Sequence, residues 1–446
     1  MGKRARLKKL NKMDIREKPS EAPSAASIDL DPRIKNIIIL ALFIAILAIG
    51  INLRIINLNN VERRSPDEGI YTYQANTVAK LGAVQGVKTL INDYNSDQKF
   101  WIYPPPSRVG YIWALAGVMK LTGIMNEKAG AYISTAFSIL SLILLIVLGL
   151  RFFNPWATLA GLLLMSVSPM DLAIARRSWQ DAMFGFMGLG LIYLASELGR
   201  NAKQLLWILP FAALGSYTVL IKEPGVVIYG LCGIWLCWVL FVREKLFLNG
   251  SILIICGALG AAVSLFLLTN AAGGLAPVLQ VIKHVKEAMP TNVYAIDYQS
   301  GPWYQFIQGF WIMSPVSIFL CVIGVAGILM PKNTFFPDTG KRHELIGILS
   351  ISAAFFFIAI MTPYCQNLRY VSVLYAPFYL LGGLGFWYTA MAFISLFKNI
   401  PVYAVIAVLA LTLAAASVSD YANFKKIIVK TGILDVSIRM IREQGL

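Results

Sequence analysis

The sequence is poor in charged residues, and this deficit decides the class of protein. Only 14% of the 446 residues are Asp, Glu, Lys or Arg, and 57% are apolar. Soluble domains carry about 25% charged residues. Apolar runs recur along nearly the whole chain and leave no room within it for a large soluble domain. The composition therefore predicts an all-α integral membrane protein with many spans.

Histidine and cysteine are also scarce. The two histidines, His284 and His343, are far apart, and four of the five cysteines lie inside apolar runs without metal-ligand spacing. The sequence therefore gives no support for a metal site or a disulfide framework. The net charge of +16 does not indicate nucleic-acid binding, because the basic residues lie at the ends of apolar runs.

Eleven apolar segments are close to the ~20 residues that a membrane span needs. They are residues 34–56, 130–150, 155–171, 181–198, 204–221, 225–242, 250–269, 303–330, 345–362, 368–394 and 399–418. This pattern divides the chain into a basic cytoplasmic arm (1–33), a transmembrane region (34–418) and a short C-terminal tail (419–446).

The segment 107–124 determines the orientation of everything that follows it. It is apolar but is interrupted by Gly110, Gly117, Lys120 and Gly123. If it lies in the membrane interface, most basic residues of the later loops face the cytoplasm, as the positive-inside rule favours. The basic C-terminal tail favours the opposite orientation.

The interfacial placement puts two loops on the outer side of the membrane. The first, residues 57–129, would hold interfacial helices. The second, residues 270–302, is long and polar enough to act as a mobile lid, and His284 within it is expected to be solvated.

The stretch from Ser65 to Tyr71 carries two adjacent carboxylates just after the first span. Ser65 is typical of a helix N-cap, Pro66 of a first helical residue, and Glu68 of the second half of a capping box. The spacing predicts a helix to about Leu81. Asp67 and Glu68 either complement the helix dipole or perform proton chemistry on a lipid-borne substrate.

Other ionisable side chains near membrane depth fall at the same outer ends of the spans. They are Arg108, the residues of the segment 171–181, Lys222, Glu223 and Arg369. Some could be anchors whose charged ends reach the interface. Together with Asp67 they form the charge arrangement that an anionic group beside a catalytic acid–base residue requires.

These stretches resemble one known family, the polyprenyl-phosphate-sugar-dependent glycosyltransferases with the GT-C fold. Protein O-mannosyltransferases and lipid A aminoarabinose transferases are the most similar members. The matching motifs, in chain order, are Ser65 to Tyr71, Pro104-Pro105-Pro106 with Tyr111 and Trp113, Arg177 with Asp181, Leu220-Ile221-Lys222-Glu223-Pro224, and Leu368-Arg369-Tyr370 through Pro377.

The resemblance implies catalytic and donor-binding roles. Asp67 would be the base that activates the acceptor hydroxyl, and Glu68 its neighbour that positions the acceptor or the helix. Arg369, with Tyr370 beside it, would hold the donor phosphate.

Two departures from the family pattern affect the phosphate site. Tyr103 and Pro104 stand where the family often has a Lys, so Arg108 is expected to contact the phosphate instead. Glu223 replaces a small residue, so Lys222 either adds positive charge at the phosphate or is held in a local pair.

Three further residues are expected to position the acceptor or the site. They are Asp181, Arg177 and Tyr71.

The resemblance implies transfer of a sugar, hexosyl or pentosyl, from a polyprenyl-phosphate donor to a lipid, glycan or protein acceptor. The reaction would be a single inverting displacement at the outer face of the cell (inner) membrane. It would need no cofactor and no metal, because the leaving phosphate is already a stable dianion. The expected partners are the donor, the acceptor and membrane lipids, with no nucleic acid. The alternative is a polytopic secondary transporter or lipid flippase, which should carry ionisable residues near mid-span.

Overall fold

The computed structural model describes residues 32–56, 58, 64–330, 341–364, 366–397, 402–430 and 436–445. The predicted cytoplasmic arm lies almost wholly outside the described residues. Across the described ranges the chain is helical, and its only β pairing is an isolated antiparallel bridge between Asn367 and Ser437. The predicted all-α, multi-pass membrane architecture is confirmed.

Nineteen α-helices follow one another in the described ranges. They are α1 (Pro32–Ile55), α2 (Pro66–Leu81), α3 (Ala83–Ser96), α4 (Val109–Thr122), α5 (Glu127–Phe152), α6 (Pro155–Ser166), α7 (Pro169–Ala175), α8 (Asp181–Arg200), α9 (Ile208–Ile221), α10 (Gly225–Cys237), α11 (Phe247–Ala272), α12 (Leu275–Ala288), α13 (Val293–Tyr298), α14 (Gln305–Met313), α15 (Pro315–Leu329), α16 (Arg342–Met361), α17 (Tyr375–Leu396), α18 (Val402–Asn423) and α19 (Ile438–Gly445).

Two of the predicted spans each consist of two helices. The segment 155–171 divides into α6 and α7, which meet at 57°, and 303–330 divides into α14 and α15, which meet at 117°. Pro169 and Pro315 begin the second helix of each pair. Proline has no N–H to donate and clashes with the preceding turn, so it begins a new helix rather than continuing the old one. The described chain holds eight helices that could cross a membrane, or ten if each bent pair is one span. The predicted span 204–221 corresponds to a shorter apolar helix, so the count of eleven is not confirmed.

The helix α4 is too short to cross a bilayer by itself. Its 14 residues extend about 21 Å at ~1.5 Å per residue, against a hydrocarbon core of ~30 Å. This length fits the interfacial placement of 107–124.

Glycines bring three spans into backbone contact. A Cβ on Gly385 of α17 would lie 1.8 Å from the Leu320 carbonyl oxygen of α15, and one on Gly383 would lie 2.0 Å from that of Ala157 in α6. Such close packing of small residues holds membrane helices together where the hydrophobic effect between them is weak. The spans α6, α15 and α17 therefore form a rigid block.

The helix α2 begins where the sequence predicts. Ser65 is the N-cap, Pro66 the first helical residue and Glu68 the capping-box partner, and the helix ends at Leu81. Gly82 follows with φ of +92°, a conformation that glycine adopts without strain, and turns the chain into α3. The predicted start and end of this helix are confirmed.

The segment 270–302, which the sequence predicts to be a lid loop, is largely helical. It contains α12, a single 3₁₀ turn and α13. The expectation that His284 is solvated is wrong: the imidazole is buried and stacks on the Trp101 ring, with ring centroids 3.8 Å apart. Val278, Val281 and His284 recur every three residues along α12 and form its buried face.

Candidate active site

Asp67 lies in the first turn of α2, facing the segment that opens α17. Its Oδ2 accepts a hydrogen bond from Arg369 Nη2 at 2.7 Å, although the two residues are 302 positions apart. The Asp67 side chain is 22% exposed and that of Arg369 only 7%. A partly accessible carboxylate is thus held beside a buried cation at one end of the bundle.

Glu68 is buried and ties α2 to the turn between α7 and α8. Its Oε1 accepts from Arg177 Nη1 at 2.8 Å and from the Ser65 N–H at 3.0 Å, and its Oε2 accepts from the Ser178 N–H at 3.1 Å. The side chain is 1% exposed. Both Glu68 oxygens therefore accept hydrogen bonds within the protein, as the helix-positioning role predicted for this residue requires, and the catalytic role also predicted for it stays a prediction.

A second buried pair joins α8 to the turn before α10. Lys222 Nζ donates to Asp181 Oδ1 at 2.5 Å, and both side chains are 1% exposed. The Lys222 ammonium also lies 4.2 Å from the centroid of the Tyr370 ring, which links this pair to the Arg369 segment. Burial lowers the pKa of Lys222, while the Asp181 carboxylate opposes that shift.

Glu223 pairs with Arg108 and not with its neighbour Lys222. Arg108 Nε and Nη2 each donate to Glu223 Oε2, at 3.1 and 2.9 Å, and Nη1 donates to Tyr71 Oη at 2.6 Å. Lys222 has an extended backbone, in which successive side chains point to opposite sides. The expected local pair is therefore wrong. The Arg108 side chain is 16% exposed, against 7% for that of Arg369.

Tyr71 joins the Arg108 pair to α2. Burial raises the pKa of its phenol far above the ordinary value, so the hydroxyl is neutral. It can accept from Arg108 and still donate one hydrogen bond.

Sequence reasoning assigned no role to Trp179. The guanidinium carbons of Arg177 and Arg369 lie 5.3 and 5.0 Å from its ring centroid, within cation–π range. Its Nε1 donates to Ser65 Oγ at 3.1 Å. The indole therefore connects both cations to the N-cap of α2. A tryptophan between Arg177 and Asp181 was a visible signal, but aromatic residues at span ends are usually interfacial belt residues.

The segment that carries Arg369 is held from two sides. On one side, Gln366 N–H donates to the Gln299 carbonyl oxygen at 3.0 Å, and Tyr370 Oη lies 3.4 Å from Gln299 Oε1. On the other, the Leu368 N–H donates to the Val436 carbonyl oxygen at 3.3 Å.

The C-terminal helix strengthens this second contact. Ile438 and Ile441 of α19 are fully buried, and Arg439 Nη1 donates to the Asp297 carbonyl oxygen at 2.8 Å. The C-terminal tail therefore lies at the same end of the bundle as the charged cluster.

The predicted site residues form three groups of contacts near the start of α2. Asp67 pairs with Arg369, and Tyr370 links Arg369 to the Lys222–Asp181 pair. Glu68 pairs with Arg177, which shares the Trp179 ring with Arg369, and Arg108 contacts Tyr71 and Glu223. Asp171, by contrast, pairs with Arg54. Among the described residues, no group of three or more His, Cys, Asp or Glu side chains is arranged to hold a metal ion.

Comparison with solved structures shows that this architecture is the GT-C fold. No family model matches the sequence, and no curated protein matches it. The apo oligosaccharyltransferase of Archaeoglobus fulgidus matches with a TM-score of 0.54 at 14% identity, over 88% of this chain and 56% of that one. ArnT from Cupriavidus metallidurans, bound to undecaprenyl phosphate, matches with a TM-score of 0.50 at 15% identity, over 93% of this chain and 76% of that one.

The chain therefore has the GT-C fold that the sequence motifs suggest. It spans a little over half the length of the oligosaccharyltransferase that it matches.

Proposed function

We propose that the chain is a membrane glycosyltransferase that moves a sugar from a polyprenyl phosphate to an acceptor at the outer face of the membrane. The observation that carries this proposal is the contact between Asp67, a partly exposed carboxylate, and Arg369, a buried cation, at one end of a GT-C bundle. Two solved structures of this fold support the substrate classes. One holds undecaprenyl phosphate, and the other, an oligosaccharyltransferase with a TM-score of 0.53, holds a tethered acceptor peptide.

Asp67 serves as the base in this scheme. Its carboxylate takes the proton of the acceptor hydroxyl while the hydroxyl oxygen bonds to the anomeric carbon of the donor sugar. The bond from that carbon to the phosphate oxygen breaks, and the polyprenyl phosphate leaves with the electron pair. One displacement of this kind inverts the anomeric configuration.

Arg369 links donor binding to the availability of the base. Its guanidinium donates a hydrogen bond to Asp67 Oδ2. A bound donor phosphate competes for the same guanidinium. The Asp67 oxygen is then released to accept a hydrogen bond from the acceptor hydroxyl when the donor is present.

The two remaining cations, Arg108 and Lys222, differ in how closely they can approach the donor phosphate. Arg108 is partly exposed and bound to a half-exposed Glu223, so it can exchange that carboxylate for phosphate oxygens. Lys222 is buried against Asp181 and contributes its charge through the Tyr370 ring rather than by direct contact.

The position of the buried ion pairs favours an enzyme over a transporter. The Arg177–Glu68 and Lys222–Asp181 pairs lie at the ends of helices in the described chain, while the Arg54–Asp171 pair lies at the break between α6 and α7. A transporter should place such groups near the middle of broken spans.

The replacement Asp67→Asn tests the proposed base. Loss of a general base lowers the rate by about 10²–10⁴-fold. Transfer would be measured in membranes with a radiolabelled sugar on undecaprenyl phosphate. Asp97→Asn is the matched control, because Asp97 lies on the same external loop and pairs only with the exposed Lys99 in the described structure. Turnover of Asp67→Asn at the control rate would remove Asp67 from the mechanism.

Arg369→Ala tests the phosphate contact separately. It should weaken retention of undecaprenyl phosphate by the purified protein, whether or not an acceptor is present. Unchanged retention would exclude Arg369 from donor binding.

A further inference from the structure

Three cations meet at the end of the bundle opposite the candidate active site. They are Arg151 in the last turn of α5, Arg200 in the last turn of α8 and Lys341 immediately before α16, and we call them the basic cluster. The other end of α8 carries Asp181, which pairs with Lys222 in the candidate site. The 20 residues of α8 extend about 30 Å at ~1.5 Å per residue. The basic cluster and the candidate site are therefore separated by about the thickness of the hydrocarbon core of a bilayer.

Lys341 lies against the end of α5 and beside Arg200. Its Nζ donates to the Arg151 carbonyl oxygen at 2.5 Å. Partial burial lowers the pKa of Lys341, the positive charges of Arg200 and Arg151 lower it further, and Glu344 opposes them. The two guanidinium groups are thus close enough to repel the Lys341 ammonium. An anion placed among the three cations would remove this repulsion.

The carboxylates near the basic cluster do not neutralise it. Glu197 is buried, and its Oε2 already accepts from Arg151 Nη2 at 3.1 Å and from Asn201 Nδ2 at 2.9 Å. Arg200 is exposed and forms no ion pair within the described ranges of the chain. Three cations therefore face Glu197 and Glu344, which leaves the cluster with a net positive charge.

An exposed apolar stripe on α5 leads up to the basic cluster. Leu140 and Val147 precede Arg151 by eleven and four residues, so the three side chains lie on one face of the helix. Leu140 is 40% exposed and Val147 is 42% exposed. Such a stripe on a membrane span faces acyl chains. A ligand that uses both features has an anionic group at one end and an apolar chain at the other.

We propose that the basic cluster binds the headgroup of an anionic phospholipid, whose phosphate contacts Arg200 and Lys341 while its acyl chains pack along the exposed stripe of α5. Guanidinium and ammonium groups are common phosphate ligands in proteins. Basic pockets between spans bind anionic headgroups on the cytoplasmic side of membranes, which is the side that the predicted orientation gives this end of the bundle. The site is separate from the proposed transfer reaction and does not depend on it.

Native mass spectrometry of the full chain, released from detergent micelles, counts bound lipid directly. The probes are dioleoyl phosphatidylglycerol, which is anionic, and dioleoyl phosphatidylcholine, which has the same chains and no net charge. The anionic lipid should bind more tightly. Arg200→Gln should weaken its binding about fivefold, the effect of one cation at a membrane surface. Arg200→Lys, which keeps the charge, should preserve most of the binding.

Lys128→Gln is the matched control, because Lys128 is an exposed cation at the opposite end of α5. It should bind phosphatidylglycerol as the unaltered chain does. A second control replaces chloride with inorganic phosphate at constant ionic strength. The lipid should stay bound, because inorganic phosphate has no acyl chains to pack on the stripe.

The proposal is overturned if phosphatidylcholine binds as tightly as phosphatidylglycerol, or if Arg200→Gln binds as well as the unaltered chain. It is also overturned if Lys128→Gln weakens binding as much as Arg200→Gln, since the attraction would then be unspecific. Displacement of the lipid by inorganic phosphate would identify a site for a free anion instead. None of these measurements involves turnover, so the proposed transferase function can fail without changing their result.

Discussion

Replacing Glu68 with glutamine should destabilise the protein through the network that it anchors. In the structure, Glu68 accepts three hydrogen bonds and faces the buried guanidinium of Arg177. Glutamine keeps the volume but has one acceptor oxygen and an NH₂ group that donates. Either orientation therefore leaves a donor facing a donor and the Arg177 charge unmatched.

The expected loss is large because both partners are buried. The side chains of Arg177 and Glu68 are 6% and 1% exposed, so water cannot replace the missing contacts. Removing one partner of a buried ion pair costs about 3–5 kcal/mol. A solvent-exposed pair such as Lys99–Asp97 contributes only about 0–1 kcal/mol.

Unfolding by titration with SDS in mixed micelles measures this difference. Glu68→Gln should lower the free energy of unfolding by several kcal/mol, whereas Asp97→Asn should change it little. The double variant Glu68→Gln/Arg177→Met should recover part of the loss, because it also removes the unmatched charge.

Two outcomes would refute this reasoning. Glu68→Gln could unfold at the same SDS fraction as Asp97→Asn, which would show that the buried network contributes little to stability. Alternatively, Glu68→Gln could keep full stability while turnover falls as far as in Asp67→Asn. That result would support the catalytic role predicted for Glu68.

Three further replacements test the supports around the site. Ile438→Ala removes a fully buried side chain and should lower the free energy of unfolding by about 2–5 kcal/mol. Because α19 supports the Arg369 segment, retention of undecaprenyl phosphate should also fall. Unchanged retention would show that the C-terminal helix does not support this segment. Asp171→Asn removes the negative charge that pairs with the fully buried Arg54 guanidinium, and it should lower the free energy of unfolding by about 3–5 kcal/mol. A variant as stable as the unaltered chain would contradict this expectation. Gly385→Val places a side chain against the α15 backbone and should abolish folded protein in detergent; a monodisperse, stable variant would refute the packing argument.

The sequence predicted best where the determinants are local. The start of α2 follows from Ser65, Pro66 and Glu68, which lie within four residues of one another and fix the capping box. Long apolar runs likewise predicted the multi-pass architecture, because a bilayer requires about 20 apolar residues per helical span. The motifs predicted the GT-C fold through their order and their position at span ends.

The sequence predicted poorly where one apolar run holds two helices. Residues 303–330 were predicted as one span because hydropathy does not report a change in the direction of the helix axis. Only the backbone at Ser314 and Pro315 turns the chain through 117°. The amphipathic helix α12 in 270–302 was not predicted either, because its polar residues made the segment resemble a loop.

By itself, the sequence determined that the protein is an all-helical membrane protein and which charged residues lie at the ends of its spans. Both properties are set by composition and by spacing along the chain. The tertiary structure decided which charges are partners. Asp67 meets Arg369, Glu68 meets Arg177, and Glu223 meets Arg108 rather than its neighbour Lys222. A pairing between residues hundreds of positions apart depends on how the helices pack and on the direction in which each side chain points. The spacing of residues along the sequence does not show either.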